Sequence, residues 1–342
     1  MKKFLFLAIF LAFVQELPAQ DLADLFDQVK NTVVTVYTAE AVNTGTGDPR
    51  TFVSSMGLGS GVLIREDMVL TAAHVVGNAE EIMVQLFDGQ AVPAKTVRIS
   101  KIADVALIQL TKPLKNPQIA TLGNSDETRI GEKVFVIGAP MGLPFSLSSG
   151  IISGRHSEDN KTYAGNILEF FQTDAAINTG NSGGPMFNFK GEVIGIVSSI
   201  LSRSGGFEGI GFAATSEIAQ TLLSSKGAKY FGIDAILLPQ ELAVILNVPQ
   251  QSGWLVQHVV KNSPAGVSGI QGGFRLVTIN EEELMLGGDI ILSVDDIVVQ
   301  DMDSVLKIFL HLEAAGSTAR HKITVFRGGQ KVDLYWVASD FL

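Results

Sequence analysis

Short runs of β-branched and aliphatic residues, each closed by glycine or a polar turn, recur along residues 31–211. TVVTVYTA (32–39), GSGVLI (59–64), IMVQLF (82–87), VALIQL (105–110), KVFVIG (133–138) and EVIGIVSSI (192–200) are the clearest of them. Runs of this length with turn signals between them predict the strands of an all-β barrel or sandwich. NTGTGDPRTFVSS (43–55) has no apolar period and predicts a mobile loop. At SEIAQTLLSS (216–225) the spacing becomes helical, with Ser216 as N-cap, which predicts a closing helix. A second unit follows, over about residues 229–338. It mixes helix-like PQELAVILNV (239–248) and MDSVLKIFLHL (302–312) with strand-like GWLVQHVV (253–260), DIILSVDD (289–296) and HKITVFRGG (321–329). That is the pattern of an α+β module of ordinary domain size. No internal repeat or low-complexity tract is present.

The amino terminus reads differently. In MKKFLFLAIFLAFVQELPAQ, Lys2 and Lys3 precede an uncharged apolar run over residues 4–14. The run is too short to cross a bilayer and fits the apolar region of a secretory signal peptide. Ala19 is the expected last residue before cleavage, although Leu17 is larger than the small residue favoured two positions earlier. The expectation is a signal peptide at 1–19 and a periplasmic or otherwise exported chain that is soluble after cleavage. The length of 342 residues fits two further domains, and 46% hydrophobic residues suffice for two cores. A formal net charge of −10 argues against a nucleic-acid partner. The absence of cysteine excludes thiol catalysis, disulfides and cysteine-ligated zinc. His74, His156, His258, His311 and His321 are the only histidines, and none forms a close pair with ligand spacing. No metal and no cofactor are expected.

Residues 178–185, NTGNSGGP, set one serine among three glycines. Such a loop can be a turn, or it can aim several backbone N–H groups at one point beside a hydroxyl. The second use requires a base for the serine. His74, in TAAH, and Asp104, at the head of an apolar strand, supply one: His74, Asp104 and Ser182 follow the chain order of a chymotrypsin-like triad. Each residue meets a need of the next. The hydroxyl needs a proton acceptor, imidazole serves near neutral pH, and a carboxylate fixes the imidazole tautomer. The backbone at Gly180, Asn181 and Ser182 is then the expected oxyanion hole.

TAAHVV, DVALIQL, GSGVLI, GAPMGLPFSLSSGIISG (138–154) and TDAAINTGNSGGPMFNFKGEVIGI (173–196) together resemble the HtrA/Deg family of trypsin-like serine proteases. Thr179 stands where proline is common in the family, and Ala139 where asparagine is common. The resemblance implies a mainly β, chymotrypsin-like double β-barrel over residues 20–227, followed by an α+β PDZ domain over 228–342. YFGI (230–233), NSPAGVSGI (262–270) and GGDIILSVDD (287–296) are PDZ-like. Phe231, Gly232 and Ile233 would hold a peptide's terminal carboxylate, and the peptide would add as a strand. Residues 271–286 form an insert whose acidic run, 281–283, is expected to be a solvated loop. By the same resemblance Ala176, Ile177, Ser198, Ser199 and Ile200 line the substrate pocket. An apolar, narrowed pocket of that kind favours Val, Ala or Ile over Lys or Arg.

The function implied is an ATP-independent endopeptidase that degrades misfolded or damaged envelope proteins through an acyl-enzyme. Its partners would be unfolded polypeptides and peptides with hydrophobic C-termini. The chain itself would be a homo-oligomer, a trimer or a multiple of one. The alternatives are a signalling protease that cuts one regulator, or a chaperone in which proteolysis is minor.

Overall fold

A computed structural model describes residues 21–163, 166–202, 206–224, 230–279, 282–315 and 319–337. The expected signal segment and the expected domain boundary at 227/228 lie outside the described residues. The chain enters through helix α1 (Leu22–Val29), capped by the Asp21 carboxylate, which accepts from Ala23 N at 3.2 Å. Strands β1 (Val33–Asn43), β2 (Phe52–Arg65), β3 (Met68–Thr71), β4 (Glu81–Gln85), β5 (Ala91–Ser100) and β6 (Val105–Leu110) close a barrel in the order β1-β2-β3-β6-β5-β4. The short helix α2 (Ala73–Val76) interrupts it between β3 and β4. Strands β7 (Lys133–Gly138), β8 (Ser146–Tyr163), β9 (Asn166–Thr173), β10 (Pro185–Asn188), β11 (Val193–Ile200) and β12 (Gly211–Thr215) close a second barrel in the order β10-β11-β12-β9-β8-β7. This is the chymotrypsin-like double barrel.

Alternation inside each closed barrel sends β-branched side chains to its interior. Val34, Val36, Val69 and Ile108 fill the first barrel, and Val134, Phe171, Ile194 and Val197 the second. A separate cluster joins the barrels: Leu70 from the first and Phe135 and Phe187 from the second pack with Leu25 of α1. Helix α3 (Ser216–Ser224) closes it with Ile218 and Leu222. Each such fully buried aliphatic side chain contributes roughly 1.5–3 kcal/mol of transfer free energy. The seam between the barrels is therefore stiff, and the candidate chemistry lies along it.

The segment at 43–55 is not a loose loop. β1 pairs with β2 from Val33↔Val62 through to Asn43↔Phe52, so only residues 44–51 turn the hairpin. Phe52, Val53 and Met56 are exposed, so this part of β2 is held by its backbone ladder, with no burial to imprint a period. The turn is specified by side chains: Asn43 Nδ2 donates to Asp48 O at 3.1 Å and its Oδ1 accepts from Gly45 N at 2.9 Å.

The carboxyl-terminal module contains β13 (Ile233–Leu237), helix α4 (Gln240–Ile245), β14 (Trp254–Val259) and helix α5 (Pro264–Val267). It continues with β15 (Arg275–Ile279), β16 (Glu282–Leu286), β17 (Ile290–Val294), β18 (Ile297–Val298), helix α6 (Met302–Ala314), β19 (Arg320–Arg327) and β20 (Gln330–Val337). Its main sheet runs β13-β14-β17-β19-β20, with β18 paired to β17. Val305 and Ile308 of α6 pack on Ile323, Val325 and Trp336. Of the acidic run, Glu281 lies outside the described residues, and Glu282 and Glu283 are a correction to the expected loop: β15 and β16 form a hairpin whose second strand they begin. Leu284 on that strand is buried, which gives the hairpin an inner face.

Candidate active site

Helix α2 begins directly after β3, and this places His74 at the mouth of the seam. Asp104 ends the turn between β5 and β6 with a φ of 51°, in the left-handed region where a short polar side chain is tolerated. That turn brings its carboxylate under α2. Oδ1 accepts from His74 N at 3.0 Å, and Oδ2 meets His74 Nδ1 at 2.8 Å. One carboxylate thus caps an otherwise uncapped helix and fixes the imidazole on it. The bond selects the tautomer with hydrogen on Nδ1 and leaves Nε2 as a base. The His74 side chain is 51% exposed and Asp104 only 18%. The hydrogen bond to Asp104 raises the His74 pKa above 6.5; burial opposes this, and the carboxylate charge adds to it. For Asp104, burial alone would raise the pKa. Hydrogen bonds from His74 and Ser198 outweigh it and hold the carboxyl below its ordinary value.

Ser182 sits between β9 and β10 in the glycine loop. Its hydroxyl donates to Ser198 O at 3.3 Å, and Ser198 Oγ donates to Asp104 Oδ2 at 2.5 Å. A chain of polar contacts therefore runs Ser182–Ser198–Asp104–His74, through the Ser198 carbonyl on one side and its hydroxyl on the other, so it is not a single hydrogen-bond relay. Among the described residues no hydrogen bond joins Ser182 Oγ to His74 Nε2.

The loop is pinned from the first barrel. Ser60 Oγ, fully buried in β2, donates to Gly180 O at 2.7 Å and accepts from Ala139 N at 2.9 Å. Ser60 N donates to Ser182 O at 2.8 Å. Gly183, with φ at +83°, has no room for a β-carbon, which would lie 2.7 Å from Ala72 N. Gly180 has φ at +104°, and a β-carbon there would overlap the Ala139 carbonyl. The Thr179 carbonyl accepts from Met141 N at 2.8 Å. In a trans peptide the following N–H points the opposite way, so the Gly180 N–H faces away from Met141. Among the described residues neither Gly180 N nor Ser182 N has an acceptor.

Three expected site residues play other parts. Asn181 N donates to Asn178 O at 2.9 Å and is not offered to an oxyanion; two donors remain, not three. Ile177 is buried in the second barrel against Gly211, so it is a core residue and not a pocket wall. The Ser198 side chain is turned onto Asp104, away from a pocket surface. Ala176 and Ser199 are exposed, and Ile200 is half-buried against the barrel core. Ser60 was not visible as a site residue, because a serine between two strand glycines carries no chemical signature.

In the second module Gly232 has φ at +82°. Its carbonyl accepts from Val260 N at 2.9 Å, and Phe231 O accepts from Ala265 N at 3.0 Å. Among the described residues the N–H groups of Phe231 and Gly232 have no acceptor. The Phe231 ring packs edge-on against Trp336 at 5.1 Å, and Ile233 opens β13, the edge strand of the sheet. A β-carbon at Gly232 would overlap the Ser263 side chain, so the glycine is required by the loop's own packing. The same loop leans on the first barrel. Tyr230 OH donates to Gly77 O at 3.0 Å, and Lys101 Nζ pairs with Asp234 Oδ1 at 2.7 Å.

Residues 59–196 match the family model described as a trypsin-like peptidase domain. The chain is 39% identical over 241 residues to a probable periplasmic serine endoprotease, DegP-like, of Pseudomonas putida strain GB-1, covering 68% of this chain and 49% of that one. It is 42% identical over 236 residues to the periplasmic serine endoprotease DegP of Escherichia coli K12, covering 66% and 48%. The chain spans about half the length of these curated relatives. Among solved structures, the HtrA-type protease AlgW with a tripeptide aligns at a TM-score of 0.51 and 30% identity, covering 92% of this chain and 95% of that one. A variant of AlgW with a decapeptide aligns at 0.54 and 29%, covering 92% and 96%. By sequence and by fold, the chain belongs to the HtrA-type family of trypsin-like serine proteases.

Proposed function

We propose that the chain is an exported serine endopeptidase that degrades misfolded or damaged envelope proteins without ATP. The single observation that carries this reading is the polar chain Ser182–Ser198–Asp104–His74 beside two unclaimed N–H groups. When a peptide carbonyl enters, the Ser182 hydroxyl turns from Ser198 O toward His74 Nε2. Its oxygen attacks the carbonyl carbon while Nε2 takes the proton. The oxyanion is held by Gly180 N–H and Ser182 N–H, each such donor worth roughly 2.7–4 kcal/mol in the transition state. His74 then protonates the leaving amine, and water hydrolyses the acyl-enzyme by the same path. The names of the relatives and the apolar N-terminal run support export, and no helix among the described residues is long and apolar enough to cross a membrane.

On this reading residues 20–227 are the protease and 228–342 a PDZ domain, with 1–19 removed. Two N–H groups at Phe231 and Gly232 and a free sheet edge at β13 support capture of a hydrophobic C-terminus by strand addition. Coupling to the protease has a physical route: Lys101, bound to Asp234 on β13, sits in the turn that presents Asp104. A homo-oligomer built on the protease domains belongs to the same reading. Incubation with unfolded casein, beside a Ser182→Ala control, tests it. Broad fragmentation lost in the control is expected. Cleavage of one target only would favour a signalling protease, and holding without cleavage a chaperone.

A further inference from the structure

Away from the active site, the described residues bring one set of metal-ligating side chains together from three elements: Asp295, His311 and His321. Asp295 lies in the turn between β17 and β18, with φ at 50°. Its N–H donates to Lys322 O at 2.6 Å, and its Oδ1 accepts from Lys322 N at 2.8 Å. Backbone therefore claims one carboxylate oxygen and fixes the group's direction. The other oxygen, Oδ2, points between two imidazoles, 2.6 Å from His311 Nε2 and 2.9 Å from His321 Nδ1. His321, at the start of β19, is 3% exposed and its ring is stacked on Trp336 at 5.1 Å. His311, in the last turn of α6, is 44% exposed and gives the cluster a side open to water.

We propose that Asp295 Oδ2, His311 Nε2 and His321 Nδ1 form a binding site for a divalent first-row transition-metal ion, with zinc as the expected occupant. Two imidazole nitrogens and one carboxylate oxygen are the donor set of three-ligand zinc sites, with a fourth position left for water. Calcium and magnesium prefer oxygen donors and are disfavoured here. Tetrahedral ligands at 2.0–2.1 Å from zinc lie about 3.3 Å apart, so each imidazole nitrogen must move roughly half an ångström from Oδ2. His311, half-exposed on a helix end, can supply that movement. The Lys322 backbone bonds to Asp295 and the Trp336 stack on His321 are the outer contacts that orient such ligands.

The present hydrogen bonds are an imperfect alternative. Both imidazoles must aim an N–H at one oxygen, and His321 Nε2 is buried without a partner. An ion would take the lone pairs of His311 Nε2 and His321 Nδ1 and move each ring proton to the other nitrogen. His321 Nε2 has no partner in either tautomer, so the exchange creates no new orphan. Sequence spacing concealed the set: the two histidines are ten positions apart, and only the packing of α6 beside β19 joins them. An ion there would tie α6 to the sheet.

The test uses the purified, untagged full chain carrying His74→Ala, so that the His74–Asp104 pair cannot compete for metal. Cobalt(II) is titrated first and followed by visible absorption, then zinc(II) is added in competition. The expected result is one equivalent of cobalt with the intense bands of a low-coordinate site, displaced by zinc, and a zinc-dependent rise in Tm. Adding His311→Ala should weaken cobalt binding by at least about tenfold and remove the Tm rise. Its half-exposed ring can be deleted with the fold retained, which circular dichroism verifies. No one-to-one binding in the His74→Ala chain would overturn the proposal. So would binding that His311→Ala leaves unchanged; the cluster would then be a hydrogen-bonded pin for α6.

Discussion

Replacing Gly180 by alanine should cut kcat by about 10²–10³-fold while sparing substrate binding. The residue has φ at +104°, and its new β-carbon would overlap the Ala139 carbonyl and lie 3.3 Å from Met141 N. Ala139 cannot give way freely: it is buried, and its N–H is held by Ser60 Oγ at 2.9 Å. The peptide before residue 180 must therefore rotate, and the Gly180 N–H leaves the place where the oxyanion forms. Loss of one such donor costs roughly 2.7–4 kcal/mol, or about 10²–10³ in kcat. KM should change little, because the oxyanion exists only in the transition state. The backbone strain adds about 1–3 kcal/mol of destabilisation, read as a lower Tm. Gly89→Ala is the control. That glycine also has positive φ, at +86°, but nothing lies within 4 Å of its β-carbon position. It should lose stability without losing kcat. The assay is steady-state cleavage of a short chromogenic peptide alongside thermal melts. A folded Gly180→Ala protein with wild-type kcat would refute the assigned oxyanion donor.

Asp104→Asn should keep the fold but lower kcat by about 10⁴-fold, since an amide no longer selects the productive imidazole tautomer. Because Asp104 raises the His74 pKa above 6.5 and catalysis needs the neutral ring, the rate should fall as pH drops through that raised value. In Asp104→Asn the acid limb of the pH–rate profile should move to lower pH, and an unmoved limb would assign it to another group. Lys101→Ala removes the half-exposed pair with Asp234 and should cost less than about 1 kcal/mol of stability. It should nonetheless reduce stimulation by a peptide with a free hydrophobic C-terminus, while the amidated peptide stimulates neither protein; equal stimulation curves would sever the proposed route. Cleavage sites mapped by mass spectrometry should follow Val, Ala or Ile, and predominant cutting after Lys or Arg would refute the apolar pocket.

The strands of the barrels were legible because each buries a β-branched face in a closed interior, which imprints a period on the sequence; that they close as two barrels was implied only by the family resemblance. VALIQL and KVFVIG coincide with β6 and β7 to the residue. The outer half of β2 was not legible, since Phe52, Val53 and Met56 are exposed and only backbone bonds hold them in the sheet. The hairpin containing Glu282 and Glu283 was missed for a related reason: its outer face mixes exposed Leu276 with Thr278 and Glu283, so the burial of Leu284 imprints no alternation. At the site, residue type and chain order pointed to His74, Asp104 and Ser182; the structure joins His74 to Asp104 at 2.8 Å and leaves the Ser182 hydroxyl on Ser198 O. Sequence could not show that Asn181 spends its N–H within the loop, or that Ser60 and Ser198 bind Gly180 and Asp104. Those roles depend on where one side chain points, and serine has no positional signature. The pairing of His311 with His321 was likewise a product of tertiary packing.

The most direct test of the central claim is covalent. The purified chain is treated with diisopropyl fluorophosphate, digested and mapped by mass spectrometry, with residual casein cleavage measured on the same sample. A single adduct on Ser182, formed in step with loss of cleavage and absent from Asp104→Asn over the same interval, is the expected result. Cleavage that survives full modification of Ser182, or an adduct on another residue that accounts for the loss, would contradict it.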